Sequence, residues 1–205
     1  MVPTLYRRFL LLVLVLTVCL AQTALAENSE HEGGKGHLKW AFTLYGGPHG
    51  QETLGDALSF QATFPDDTYV IVGALTRELW RYRDWFALEA EGQVGKHFGE
   101  MQHWELNGLI DIRWLLFPWD KYVETSFAVG DGLSYATEVP EVESADDEDA
   151  QRLLNYLLFE LTLGLPQYPQ WDIVARIHHR SGIFGLMGGM YGGSNFVTGG
   201  IKYKF

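Results

Sequence analysis

The feature that most constrains this chain is a period of two. Eight stretches alternate in polarity, at roughly 38–46, 68–79, 84–96, 102–116, 121–136, 152–164, 171–181 and 194–205. Period two is the signature of half-buried strands, because successive side chains point to opposite faces. In the third stretch Phe86, Leu88, Ala90 and Val94 share one face, and Glu89, Glu91 and Gln93 the other. In the fourth, Trp104, Leu106, Ile110, Ile112 and Trp114 oppose Glu105, Asn107, Asp111 and Arg113. The sixth sets Leu157, Phe159, Leu161 and Leu163 against Tyr156, Glu160 and Thr162. In the eighth, Val197, Ile201, Tyr203 and Phe205 oppose Lys202 and Lys204.

A soluble sandwich would turn the apolar face inward. Here the apolar face is bulky on strand after strand, and eight strands close around a space only wide enough for side chains. The polarity is therefore expected to be inverted, as in a membrane barrel. The interior would hold Glu89, Glu91, Glu105, Asp111, Glu124 and Glu160 against Arg113, Arg176, Arg180, Lys202 and Lys204. Such near balance predicts a salt-bridged plug rather than an open pore.

The connections alternate in length. "RYRD" (81–84), "FPWDK" (117–121) and "LPQYPQ" (165–170) are short, whereas 46–67, 137–151 and 182–193 are long, with 97–101 the exception. Short turns at one end and long loops at the other suit a barrel with both termini in the periplasm. Trp80, Trp85, Trp114, Trp119 and Trp171 fall near the short turns, where an aromatic girdle belongs. The acidic run "VPEVESADDEDAQ" (139–151) reads as a solvated loop on the outer side.

The ends agree. Arg7-Arg8, the apolar run Phe9–Leu20 and Ala24-Leu25-Ala26 form a secretory signal peptide over residues 1–26. Its removal takes away Cys19, the one cysteine, so no disulfide or thiolate chemistry is expected of the exported domain. Removal also takes two arginines and no acid, which makes the domain more negative than the −11 of the full chain. That balance excludes nucleic acid as a partner. No later apolar run reaches the length of about 18 residues that a transmembrane helix needs. The last residue, Phe205, closes an alternating strand, as the recognition signal for the barrel-assembly machinery does in outer-membrane proteins. The expectation is an all-β fold: one eight-stranded antiparallel transmembrane β-barrel of the bacterial outer membrane, over residues 27–205.

Chemistry concentrates in "WDIVARIHHRSG" (171–182). Trp171, Ile173, Ala175 and Ile177 face lipid by parity, and His179 and Ser181 share their face. Arg176, His178 and Arg180 point inward as members of the interior network. Residues two apart on one strand face stand about 6–7 Å apart, and a twist near the strand end brings them closer. A histidine beside a serine is the base-and-nucleophile pair of acyl transfer. On the outer wall it addresses a substrate that lives in the membrane. His97 and His103 flank a short loop without a third ligand of fitting spacing, so no metal and no cofactor are expected.

His179-Arg180-Ser181, with "GGSN" (192–195) and a final "GIKYKF", resembles the His-x-Ser motif of the PagL-type lipid A 3-O-deacylases, also called acyloxyacyl hydrolase-like. "GKHFG" (95–99), "PW" (118–119), "GDGLSY" (130–135) and "LLNYLLFEL" (153–161) also look like family features. The resemblance implies an eight-stranded outer-membrane barrel that hydrolyses an ester-linked acyl chain of lipopolysaccharide. It implies Ser181 as nucleophile and His179 as base. The family's orienting glutamate is missing, since no Asp or Glu follows Ser181; Asn195 takes that place. Gly182 stands where the family has an asparagine after the serine, which leaves backbone N–H groups of Gly182 or its loop to meet an oxyanion. Expected partners are lipid A, the outer membrane and the assembly machinery, with the barrel a monomer or homodimer. A competing expectation is a non-catalytic small barrel with a structural or binding role. A soluble sandwich or lipocalin-like binder conflicts with the inverted polarity and the terminal Phe205.

Overall fold

The computed structural model describes residues 38–51, 53–59, 61–64, 67–146, 150–187 and 189–205, with side chains left aside at 145 and 146. The signal peptide expected over residues 1–26, and His31 and His37, lie outside the described residues. Eight strands run in chain order: β1 Trp40–Gly50, β2 Tyr69–Tyr82, β3 Phe86–Phe98, β4 Trp104–Trp114, β5 Glu124–Ala136, β6 Leu153–Gly164, β7 Trp171–Ser181 and β8 Gly193–Lys204. Two short helices, α1 Leu54–Leu58 and α2 Glu141–Asp146, sit in the long connections. Each strand pairs antiparallel with its neighbours, and β1 pairs with β8 to close the barrel. Closure satisfies every ladder, which is what a bilayer demands of a spanning sheet. The chain ends tie the seam: Trp40 N donates to Phe205 O at 3.0 Å, and Phe205 N to Trp40 O at 2.8 Å. Among the described residues no helix is long and apolar enough to cross a membrane.

The strands begin and end within a few residues of the alternating stretches. The largest difference is in β1, which continues through Gly46-Gly47-Pro48 to Gly50 rather than turning at 46. Those glycines are needed for packing. A Cβ on Gly47 would lie 2.0 Å from the Val197 carbonyl oxygen, so only glycine lets β8 approach there.

Parity follows the inverted scheme. Phe42, Leu44, Ile71, Trp104, Ile110, Ile112, Leu161 and Ile173 are all exposed on the outer wall. Trp80, Trp85, Trp114, Trp119 and Trp171 are exposed at the end with the short turns. Inside, Glu160 is fully buried and accepts from Arg113 Nη2 at 2.6 Å, from Arg176 and from Lys202. Arg176 also holds both oxygens of Glu91, at 2.7 and 2.9 Å. Arg113 holds Glu89 at 2.8 Å. Glu124 has inward parity, yet it stands half-exposed at the periplasmic mouth, 4.0 Å from Lys204. The interior is largely a plug of paired charges, as burial requires; Asp111, 1% exposed, is the exception, with no hydrogen-bond partner for either carboxylate oxygen among the described residues.

The acidic connection is not simply a solvated loop. Glu143, on α2, is fully buried in the barrel mouth. Its carboxylate accepts from Arg180 Nε at 2.9 Å and from Ser194 Oγ at 2.8 Å. The inward cation of β7 draws one acid out of the run and folds the loop over the opening.

Candidate active site on the lipid-facing wall

The outer wall carries a polar patch on four successive strands, β5 to β8, at the extracellular end. One row across the ladder reads Asp131, Leu157, His179, Asn195, from β5 to β8. The next reads Leu133, Asn155, Ser181, Gly193. Residues in register across a sheet share a face, so His179, Ser181 and Asn195 all point outward with Ile173 and Ile177.

His179 and Asn195 are joined directly. Asn195 Oδ1 lies 2.7 Å from His179 Nδ1. An amide oxygen only accepts, so Nδ1 carries the proton and donates it. Nε2 is then the unprotonated nitrogen, which is the tautomer a general base needs. Asn195 is 5% exposed and held between β7 and β1, so the imidazole is oriented by a fixed group. Ser181 lies two residues further along β7, partly exposed. Among the described residues no hydrogen bond joins its hydroxyl to His179. The structure therefore joins His179 to Asn195 and leaves Ser181 on the same face, one strand repeat away.

Gly182 is required here. Its Cβ would stand 2.1 Å from the Met190 carbonyl oxygen, so an asparagine cannot replace it without moving the outer loop. Its N–H donates to Gly192 O at 3.3 Å and is not a free oxyanion donor. Of the two sources expected from sequence, Gly182 or its loop, this engages the first. Ile183 and Phe184 follow with φ of 49° and 54°, a left-handed path for two bulky residues that fixes the loop beside the serine. Within "GGSN", Gly193, Ser194 and Asn195 open β8. Gly193 faces Ser181 across the ladder and leaves the flank of the hydroxyl without a side chain.

Two residues of the patch escape sequence reasoning. Asn155 stands across the ladder from Ser181, and its Nδ2 donates to Asp131 Oδ1 at 2.8 Å and to Gly132 O at 3.0 Å. A carboxylate is thus present on this wall after all, on β5 rather than on β8. Both lie in stretches that carry the family resemblance, "LLNYLLFEL" and "GDGLSY". An apolar groove lined by Trp114, Leu116, Phe117, Pro118, Phe127 and Leu161 lies at the opposite, periplasmic rim and offers no titratable group.

No protein-family model matches the chain, and no curated protein matches it in sequence. Among solved structures, it is similar to the outer membrane enzyme PagL, with a TM-score of 0.58 and 9% identity over 80% of this chain and 99% of that one. Neisserial surface protein A gives a TM-score of 0.49 at 9% identity, covering 82% of this chain and 98% of that chain. Yersinia pestis Ail gives 0.40 at 10% identity, covering 82% of this chain and all of the other. The likeness is one of fold. With charges inside and an apolar belt outside, the chain is an eight-stranded barrel of the bacterial outer membrane.

Proposed function

We propose that this barrel is an outer-membrane esterase that removes an ester-linked acyl chain from lipid A, at the 3-O position by family resemblance. The observation that carries the reading is the oriented His179–Asn195 pair beside Ser181 in the polar patch on β5 to β8. Polar groups facing lipid are costly, and this patch lies at the level of the outer-leaflet headgroups. The fold likeness to PagL and the His-x-Ser resemblance point the same way.

In the proposed reaction, Ser181 Oγ attacks the ester carbonyl carbon as His179 Nε2 takes its proton. The sugar oxygen then leaves with that proton, and the acyl chain remains on Ser181. Water, deprotonated by the same nitrogen, attacks the acyl-serine, releases a fatty acid and restores the hydroxyl. Asn195 keeps the imidazole in place, as the amide does in Cys-His-Asn sites. It cannot stabilise imidazolium as a carboxylate does, which predicts a slow enzyme. The test is mass spectrometry of lipid A from cells producing wild-type protein, Ser181→Ala or His179→Ala. Loss of one acyl chain with the wild type only is expected. If the wild type strips none, the barrel is a non-catalytic outer-membrane protein.

A further inference from the structure

The two adjacent histidines of β7 serve opposite sides of the wall, and the inner one belongs to a separate cluster. His178 is fully buried, and its Nε2 lies 2.8 Å from Glu105 Oε1. The other oxygen of the same carboxylate, Oε2, lies 2.8 Å from His97 Nε2. The three side chains come from β7, β4 and β3, and the candidate ligand atoms all lie within 4.8 Å of one another. The geometry points to a divalent transition-metal site of the zinc class in the outer third of the barrel interior, formed by His97, Glu105 and His178.

Four observations carry this. The donors are two imidazoles and one carboxylate, the set that suits zinc and its neighbours rather than calcium or magnesium. Ligand atoms around tetrahedral zinc stand about 3.3 Å apart, so the 2.8 Å pairs need to open by only a few tenths of an ångström. In the metal-free form protons do the bridging: each imidazole meets one oxygen of a single carboxylate. A cation would take the Nε2 lone pairs instead, each neutral imidazole then carrying its proton on Nδ1, where His178 would donate it to Tyr156 Oη. The surroundings are those of a metal centre. His178 Nδ1 is held by Tyr156 Oη at 3.0 Å and Tyr45 Oη at 3.3 Å, and Tyr45 is fixed in turn by Gln93 at 3.0 Å. Such outer partners orient ligating histidines. Phe196 packs edge-on against His97 and His178, at 5.0 and 5.9 Å between ring centroids, and keeps the pocket dry.

The last observation is a polar group without a partner. His103, 3% exposed, stacks on His97 at 4.2 Å, and its Nε2 is buried with no hydrogen bond among the described residues. It stands outside the three-residue cluster as placed, so it would have to turn on the short β3–β4 connection to add a fourth donor. Sequence could not assemble this set, because its members approach only when the barrel closes. The site does not depend on the esterase reading, since it lies on the other face of β7.

The experiment titrates the folded, detergent-solubilised barrel with Co(II) and then displaces it with Zn(II). His31 and His37 are changed to alanine in every sample, to remove donors outside the barrel. The expected result is a visible tetrahedral Co(II) band that saturates at one ion per barrel, with Zn(II) raising the unfolding temperature. Glu105→Gln and His178→Gln should each weaken binding more than about 100-fold, and Tyr156→Phe by about 10-fold, the range for an outer partner. His103→Ala should retain an ion but change the band. Folding of each variant is checked by heat-modifiable migration. If both ligand variants fail to fold, the wild-type stoichiometry, band and thermal shift decide. A wild-type barrel that binds neither ion overturns the proposal, and so does binding unchanged in folded Glu105→Gln and His178→Gln.

Discussion

Replacing Glu160 with glutamine should destabilise the barrel by about 3 kcal/mol, at the lower end of the roughly 3–5 kcal/mol for breaking a buried ion pair. The magnitude follows from what each cation has left. Arg176 keeps both contacts to Glu91, at 2.7 and 2.9 Å. Arg113 keeps Glu89 at 2.8 Å and Ser126 Oγ at 2.8 Å. Lys202 has no other ion pair among the described residues, so the variant strands one ammonium that is 4% exposed. Glutamine retains the volume and one acceptor, which argues for the lower figure. The assay is equilibrium urea unfolding in lipid vesicles, followed by fluorescence of the chain's seven tryptophans. The predicted loss shifts the folded-to-unfolded ratio on the order of a hundredfold. Adding Lys202→Met to Glu160→Gln removes the stranded charge and should restore much of the stability. An unchanged unfolding free energy in Glu160→Gln, or no rescue by Lys202→Met, would refute this reading of the plug.

Ile110→Arg, on the outer wall at the middle of β4, should cost roughly 2–4 kcal/mol in the same unfolding assay; a silent substitution there would contradict the assigned parity. Asn195→Asp should speed deacylation by returning a carboxylate to His179 Nδ1, and Asn195→Ala should slow it less than Ser181→Ala does, both read as lipid A turnover. Asn155→Ala releases Asp131 and removes the amide across from Ser181; kcat should fall up to about 100-fold with little change in KM, because the change misplaces a group rather than weakening substrate binding.

How much of this was legible in the sequence depends on the range of the signal. Alternation is local, so Glu89, Glu160 and Arg113 could be turned inward, and Trp104 and Ile110 outward, from their own strands. The outward parity of His179, Ser181 and Asn195 could be read the same way. Adjacency across strands is not local. It depends on the register and stagger of the whole barrel, which a single strand does not encode. Asn155 was hidden for that reason: nothing in "LLNYLLFEL" says that its third residue meets a serine 26 positions later. Glu143 was hidden differently. In an acidic run every residue looks solvated, and only the buried guanidinium of Arg180 selects the one that folds inward. The engagement of the Gly182 N–H followed from the path of the outer loop, which carries no periodic signal.

The division of labour along β7 follows from the same geometry. Arg176, His178 and Arg180 alternate with Ile177, His179 and Ser181, so one strand supplies both the interior network and the outer patch. The two sets are separated only by the thickness of a backbone, and they have opposite requirements. Inside, each polar group is held by several others, as Arg180 is by Glu143 and Ser134. That rigidity fixes the backbone on which the outer pair stands. Outside, among the described residues, His179 has one side-chain partner, Asn195, and Ser181 has none to restrain its hydroxyl. On the proposed esterase reading, a serine with freedom to turn, on a strand without freedom to shift, suits a substrate that arrives by lateral diffusion in the leaflet. In that reaction Ser181 would close onto His179 once the acyl ester is in place, because the two already share a strand and a face.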